Sequence, residues 1–224
     1  MGLLTAAGII TTRVRPVLHD TNSSSYRWSD TLMLAWINDA ARFVVQCNPK
    51  AYVTNSVWQL ERGTVQHIPT NGIELIDIPC NYTYASGVYS TGAAITLTDK
   101  AVVNALDPSW RSATASATVE LWMFDERDPT HFEVYPQQPD TDTGYVLGIY
   151  SLCPTDLTDI TQVIVLNDVY ASPMINYLLF RAYSEETDAN ALQQAVGYYN
   201  IAVTELDRKD LIMKTYDPNK ARLS

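Results

Sequence analysis

The segment Arg27–Gln46 constrains the fold more than any other part of the chain, because its apolar residues recur at helical spacing. At about 100° per residue, the apolar side chains form an arc of roughly 220°. A helix on the surface of a monomer needs an apolar stripe only ~100° wide or somewhat more. The segment therefore predicts a helix buried on two sides, within the subunit and against another copy. The predicted subunit interface consists of Leu34, Ile37, Ala41 and Val45.

Charged residues make up 18% of the 224 residues, below the ~25% typical of soluble domains. The chain also has 14 Tyr and 5 Trp, residue types that are enriched where a surface meets a partner. This composition favours a subunit that hides much of its surface. A β-rich domain, which also uses Tyr and Thr heavily, explains the same composition equally well.

The formal net charge is −10, and the basic residues are scattered, which opposes binding to phosphate backbones. The three cysteines are odd in number and lack any Cys-x-x-Cys spacing, which predicts folding in a reducing, cytosolic environment. The N-terminal residues lack the basic leader of a signal peptide, and no run of ~20 apolar residues exists to span a membrane. We expect a soluble protein without membrane contact.

Helical patterns are confined to the two ends of the chain. Residues 1–50 predict two helices, about 5–18 with a kink at Pro16, and a second that ends near Gln46 before Asn48 and Pro49. Residues 167–213 predict two more, one starting at Ser172-Pro173 and one from Asp188 to about Lys209. Residues 214–224 are polar, and we expect them to form an extended tail.

Residues 51–166 instead contain short runs in which apolar and polar residues alternate, separated by turn residues, as in short strands. The six predicted strands are Val57–Leu60, Thr64–Ile68, Ile73–Ile78, Thr118–Phe124, His131–Tyr135 and Tyr145–Tyr150. The Ser-, Thr-, Ala- and Gly-rich stretch 83–117 predicts mostly loop, with one strand near 94–98 and a helical turn near 100–105. The fold class expected is α+β: a four-helix bundle from the N- and C-terminal helices with an inserted antiparallel β-sandwich or barrel domain.

No catalytic, metal or cofactor site emerges from the sequence, and we expect none. His19, His67 and His131 are far apart in sequence and lack the i, i+4 spacing of a helical metal site. Cys47 ends an apolar helix, which favours a buried, inert thiol. The acidic stretch 125–128 lacks the ligand spacing and glycine of a calcium loop, so it predicts an acidic turn.

Several landmarks resemble, in order, the head-to-tail adaptor proteins of short-tailed bacteriophages, also called tail tubular or gatekeeper proteins. The first is a tryptophan before a helix, then Leu-x-Trp-Ile-Asn-Asp-Ala at 34–40 within that helix, then Asn48-Pro49. The later landmarks are Gly63, Ile68-Pro69, Asp107–Trp110, Phe124-Asp125, Pro129, Phe132, Tyr135-Pro136, Tyr177 and Phe180–Ala182. An Ala- and Tyr-rich final helix completes the series, and the resemblance covers nearly the whole chain.

This resemblance implies a structural virion protein, not an enzyme, located in the neck or tail and assembled in the host cytoplasm. It implies an adaptor ring, a homo-oligomer expected to be a dodecamer, that connects the portal protein to the tail nozzle protein and lines the DNA exit channel. Double-stranded DNA would pass through without specific binding. In the resembling family the C-terminal segment docks on the portal, which assigns that role here to Tyr216, Lys220 and Arg222.

A carbohydrate-binding or glycan-degrading β-sandwich module is the alternative function. Tyrosines between Tyr82 and Tyr89 and between Tyr145 and Tyr150 could stack on sugars, or pack within a sheet. Paired carboxylates that would hydrolyse a glycan are not identifiable from the sequence.

Overall fold

The structure is a computed structural model that describes residues 4–125 and 127–216, with side chains through residue 207. The chain divides into two compact units. The helical unit contains the residues up to Tyr52 and those from Pro154 onward, and the β unit is Val53–Cys153. In chain order the helices are α1 Ala6–Ile9, α2 Arg15–Val17, α3 Asp30–Cys47, α4 Lys100–Leu106, α5 Ala171–Ser184 and α6 Ala189–Tyr216. The strands are β1 Val53–Gln59, β2 Gly63–His67, β3 Gly72–Ala85, β4 Val88–Ala94, β5 Thr96–Leu97, β6 Leu121–Asp125, β7 Asp128–Gln138 and β8 Tyr145–Leu152.

Helix α3 runs through the helical unit. Ser29 begins it, because the Ser29 hydroxyl accepts a hydrogen bond from the Leu32 amide at 3.2 Å. Its apolar face is buried against α5, and Ile164 and Leu166 from the segment after β8 join the same core. The segment 154–166 is therefore part of the helical unit and contributes to its packing.

The predicted first helix is present as a continuous helical run from Ala6 to Val17, with a change of helix type inside it. A π-helical segment, Ile10–Val14, lies between α1 and α2, and Pro16 occupies the first turn of α2. Proline fits there because a first-turn residue needs no intrahelical N–H bond. At the other end of the chain, α6 continues to Tyr216, beyond the predicted end at about Lys209. No helix within residues 4–125 and 127–216 has the length and apolar character needed to cross a membrane.

The β unit contains two four-stranded sheets. The first has the order β1-β8-β3-β4, and all of its neighbouring strands are antiparallel. The second has the order β2-β7-β6-β5, and its β5–β6 pair is parallel. The α+β class is confirmed and each predicted strand overlaps an observed one, but in the described part of the chain neither sheet closes into a barrel. The residues that pack into one hydrophobic cluster from the two sheets include Ile78, Trp122, Phe132, Val134 and Val146.

The region 83–117 is more ordered than the sequence indicates. The long strand β3 turns at Ser86 and Gly87, both with positive φ, into β4, which pairs back along it. Every residue of β4 is exposed. Because no residue of this strand enters a core, its sequence lacks the alternation from which strands are predicted. The prediction of mostly loop here was wrong for that reason.

Candidate functional site

The four residues predicted to form a subunit interface lie in the core of the helical unit. Leu34, Ile37, Ala41 and Val45 are 9%, 0%, 7% and 2% exposed. The wide apolar arc of α3 is thus covered within one chain, by packing on more than one side. A contact of these four residues with a neighbouring subunit stays a prediction.

The predicted portal-docking residues lie at the end of the chain. Tyr216 is the last residue of α6. Lys220 and Arg222 lie outside the described residues. Their role in docking therefore stays a prediction.

A buried ion cluster centres on Arg15, which is 1% exposed. Its guanidinium forms ion pairs with Asp20 and Asp30 and donates a hydrogen bond to the Trp28 carbonyl at 3.0 Å. The ring of Tyr26 covers the guanidinium, with 3.4 Å from its centroid to Cζ. The cluster ties the segment between α2 and α3 to the start of α3. Its buried charges are compensated, so the arrangement is structural.

A more exposed set of polar contacts holds the segment after β8, and also α5, on α3. The Asn38 side chain donates to the Leu157 carbonyl at 3.0 Å and accepts from the Leu157 amide at 2.9 Å. Arg42 forms an ion pair with Asp156, and Arg181 of α5 lies 3.0 Å from Asp39. This segment therefore has a fixed position on the helical unit.

A cavity of about 210 Å³ beside the second sheet is lined by several titratable side chains, including Lys100, Asp128, His131 and Glu133. His131 Nδ1 lies 2.7 Å from Asp128 Oδ1, and the His67 ring is 4.2 Å from the His131 ring between centroids. Lys100 Nζ lies 3.0 Å from Glu133, whose other oxygen lies 3.0 Å from the Arg111 guanidinium. Each of these carboxylates lies within ion-pair or hydrogen-bond distance of a basic side chain.

The turn between β6 and β7 contributes Asp125 and Asp128 to the lining of this cavity, and the pKa of Asp125 is lowered there. Arg127 donates side-chain and backbone hydrogen bonds to the Asp125 carboxylate and lowers its pKa to about 2. Within the described residues, no group of three or more His, Cys, Asp or Glu is arranged to hold a metal ion.

The expectation that Cys47 is buried was wrong. Cys47 is exposed at the end of α3, because it lies with Gln46 on the side of the last turn that faces away from the buried Val44 and Val45. Partial burial, and then the negative charge of Asp207, raise the pKa of the thiol. A raised pKa reduces the thiolate population, so the reactivity of this cysteine stays low.

Three tyrosines of the first sheet form an aromatic cluster near the β3–β4 turn. Tyr84 lies 4.8 Å from Tyr89 and 5.8 Å from Tyr145, between ring centroids. A groove of about 380 Å³ lies beside them, and Asp142 is the one carboxylate among its lining residues. Paired carboxylates, which glycan hydrolysis needs, are not present in this lining.

Comparison with protein-family models matches residues 4–222 to the SU10 adaptor protein family. The chain belongs to this family. SU10 adaptor proteins are phage adaptors, so the resemblance drawn from the sequence is confirmed and the chain is a structural phage protein of the virion. Comparison with curated proteins found no match.

The feature of this adaptor that sequence analysis missed is the exposed hairpin formed by β3 and β4. One signal was available. A Ser-Gly pair at 86–87 follows a stretch with tyrosine at alternate positions, Tyr82 and Tyr84, and precedes a stretch that contains Tyr89. Such a pair is typical of the two-residue turn of a β-hairpin. The composition of the surrounding stretch outweighed that signal.

Proposed function

We propose that the chain is the subunit of a head-to-tail adaptor ring that binds the portal protein, carries the tail nozzle protein and surrounds the path of the DNA. The observation that carries this proposal is the match to an adaptor family along residues 4–222. The proposed ring is a dodecamer in the neck of the virion, assembled in the host cytoplasm. The proposal assigns the chain no catalytic step.

The division into two units supports this role. In the proposal, the N- and C-terminal helices form a bundle that builds the ring wall, and the β unit acts as a β-sandwich that offers a surface to the next component. Side-by-side contacts between identical subunits close into a ring only when the rotation per subunit is correct, and a portal of fixed symmetry can impose that rotation.

The C-terminal residues supply the portal contact in this proposal. Residues 214–224 contain three basic residues and one acidic residue, in a chain with a net charge of −10. The tail is thus opposite in sign to the rest of the chain, which suits a separate docking function. Tyr216, Lys220 and Arg222 would provide the aromatic and cationic contacts.

Binding to the purified portal of the same phage tests the proposal. We expect the full chain to form rings on the portal by negative-stain electron microscopy, and the chain ending at Met213 to keep its melting temperature but lose portal binding. Lys220→Gln with Arg222→Gln should weaken binding, whereas Lys50→Gln with Arg62→Gln removes the same charge elsewhere and should not. Unaltered binding by the truncated chain would refute the tail assignment, and failure of the full chain to bind would refute the adaptor ring.

Glycan binding by the β unit is a second candidate, favoured by the tyrosine cluster beside the 380 Å³ groove. Tyrosine faces and neutral polar side chains suit the flat apolar faces and hydroxyls of uncharged sugars. Titration with neutral oligosaccharides, followed by calorimetry, tests this candidate. Tyr84→Ala should abolish any heat of binding, while Tyr183→Ala in the helical unit should leave it unchanged.

A further inference from the structure

The first sheet has two edge strands without the features that keep sheet edges from pairing. Strands β1 and β4 are each seven residues long, and neither contains a charged residue or proline. Within the described residues, β1 pairs only with β8 and β4 only with β3. Proteins normally protect such edges with charges, proline or very short strands, because an exposed edge is a template for another strand.

The edges of the second sheet, unlike those of the first, have features that oppose pairing with another strand. Its edge strands β2 and β5 have five and two residues. Strand β5 is also parallel to β6, so β2 and β5 run in the same direction. Copies placed side by side would have to join these edges as a parallel pair of two residues.

In the first sheet the two edges run in opposite directions. All three strand pairs in the order β1-β8-β3-β4 are antiparallel, so β1 and β4 are antiparallel to each other. If copies are related by rotation about an axis roughly parallel to the strands, β4 of one copy meets β1 of the next as an antiparallel pair. Antiparallel pairing is the slightly more stable mode. Such a contact uses different surfaces on the two copies, which is the kind of contact that builds a ring.

We propose that β4 of one subunit pairs with β1 of the next, so that the first sheet continues from copy to copy around the assembly. The proposal deepens the adaptor-ring function, on which it rests, by naming the contact between neighbouring subunits. The partner is a second copy of this chain because the two free edges match in length, are opposite in direction and both lack charge. From Ile78 to Thr98 the sequence contains no charged residue.

The faces of the sheet determine which residues meet. Cross-strand partners share a face, and Tyr89 is opposite Tyr84, while Thr91 is opposite Tyr82 and Tyr82 is opposite Tyr145. Val57 is opposite Leu147, two residues from Tyr145, so Val57, Tyr89 and Thr91 all lie on the same face.

Registers that differ by two residues all keep both faces continuous, and the proposed register is one of them. It places Tyr89 of one copy opposite Val57 of the next, and Thr91 opposite Asn55. The ladder of β4 with β3 is regular from Val88 to Thr91, and its irregularity lies beyond Thr91, so this register uses the regular part of β4. Tyr89 is 48% exposed, and an aromatic residue opposite a β-branched one is a favourable cross-strand pair.

Cysteine crosslinking tests this register. Chains carrying Asn55→Cys and chains carrying Thr91→Cys, each with the three native cysteines replaced by serine and with tags of different length, are mixed at high concentration and oxidised mildly. We expect a mixed disulfide dimer, and a ladder of higher oligomers from a chain carrying both substitutions. Within one chain the two positions are three strand spacings apart, ~14 Å, beyond the ~7 Å that a disulfide allows between Cα atoms.

The control pair is Thr91→Cys with Val65→Cys, an exposed position on the β2 edge of the second sheet. We expect roughly tenfold more mixed dimer from the 55–91 pair, the ratio given by a preference of about 1.4 kcal/mol. Equal yields from both pairs, or homodimers of the Thr91→Cys chain in place of mixed dimers, would overturn the proposal. No portal is present, so this outcome is independent of the portal-binding test.

Discussion

Arg15 Nη2 lies 2.7 Å from Asp30 Oδ1 and so joins α2 to the first residue of α3. The guanidinium is 1% exposed, and its second carboxylate partner, Asp20, is also buried, with 5% of its side chain exposed. Asp20 in turn accepts a hydrogen bond from the Arg27 amide at 2.8 Å. The segment between the helices is thus held by a buried charge network, together with Trp28, which packs into the core of the helical unit.

Arg15→Met should destabilise the helical unit by about 3–5 kcal/mol, because it leaves the buried Asp20 carboxylate without its cation. Urea unfolding followed by circular dichroism measures this loss. The control is Arg62→Met, which removes the exposed partner of Asp140 and should cost less than ~1 kcal/mol. Similar losses for the two variants would contradict the structural role of the Arg15 cluster.

Replacement of glycine by alanine should change the stability of the chain in opposite directions at Gly148 and Gly197. A methyl group at Gly148 of β8 would overlap the indole ring of Trp58, which packs edge-on against Tyr150 and Phe132. Gly148→Ala should therefore cost about 1–3 kcal/mol through overpacking. Gly197 of α6 has open space around its Cα, so Gly197→Ala should add about 0.5–1 kcal/mol through helix propensity. Thermal unfolding of both variants checks the signs, and a stabilising Gly148→Ala would show that the Trp58 ring can move.

The sequence predicted those elements whose residues enter a core. Helix α3 was recognisable because Trp36, Ile37 and Val44 recur at helical spacing and Asn48-Pro49 ends the pattern. Strand β4 was not recognisable, because all of its residues are exposed and backbone pairing with β3 holds it in place. The proposed subunit contact depends on that same strand, so sequence periodicity alone could not have indicated it.

Asp77 should make stability fall as the pH rises through the acidic range. Burial raises the pKa of its carboxyl, although a hydrogen bond from the Ile78 amide at 2.8 Å acts in the opposite direction. A raised pKa in the folded state favours the protonated form. Its contribution is therefore complete below the unfolded value of about 3.9 and is lost as the pH rises through the folded value. Asp77→Asn should increase the melting temperature at about pH 6 more than at about pH 3.

Asp125→Asn is the control of opposite sign. Its pKa in the folded chain is about 2, so its contribution exists above about pH 3.9 and disappears as the pH falls through 2. This variant should be less stable than the wild type at about pH 6 and equal to it near pH 2. A difference between wild type and Asp77→Asn that is the same at every pH would show that Asp77 does not titrate as its burial implies.

The assembled adaptor ring should not retain duplex DNA. Each chain has 25 acidic and 15 basic residues, and the basic residues are not clustered in the sequence, so a ring of copies repels phosphates at long range. Each phosphate neutralised by Lys or Arg would add affinity that does not depend on DNA sequence and would slow passage of the genome. Filter binding of duplex DNA at low salt, with the portal alone as the control, measures retention by the adaptor. Tight binding that exceeds the portal control and weakens steeply with salt would show that basic residues line the channel, and would contradict the prediction.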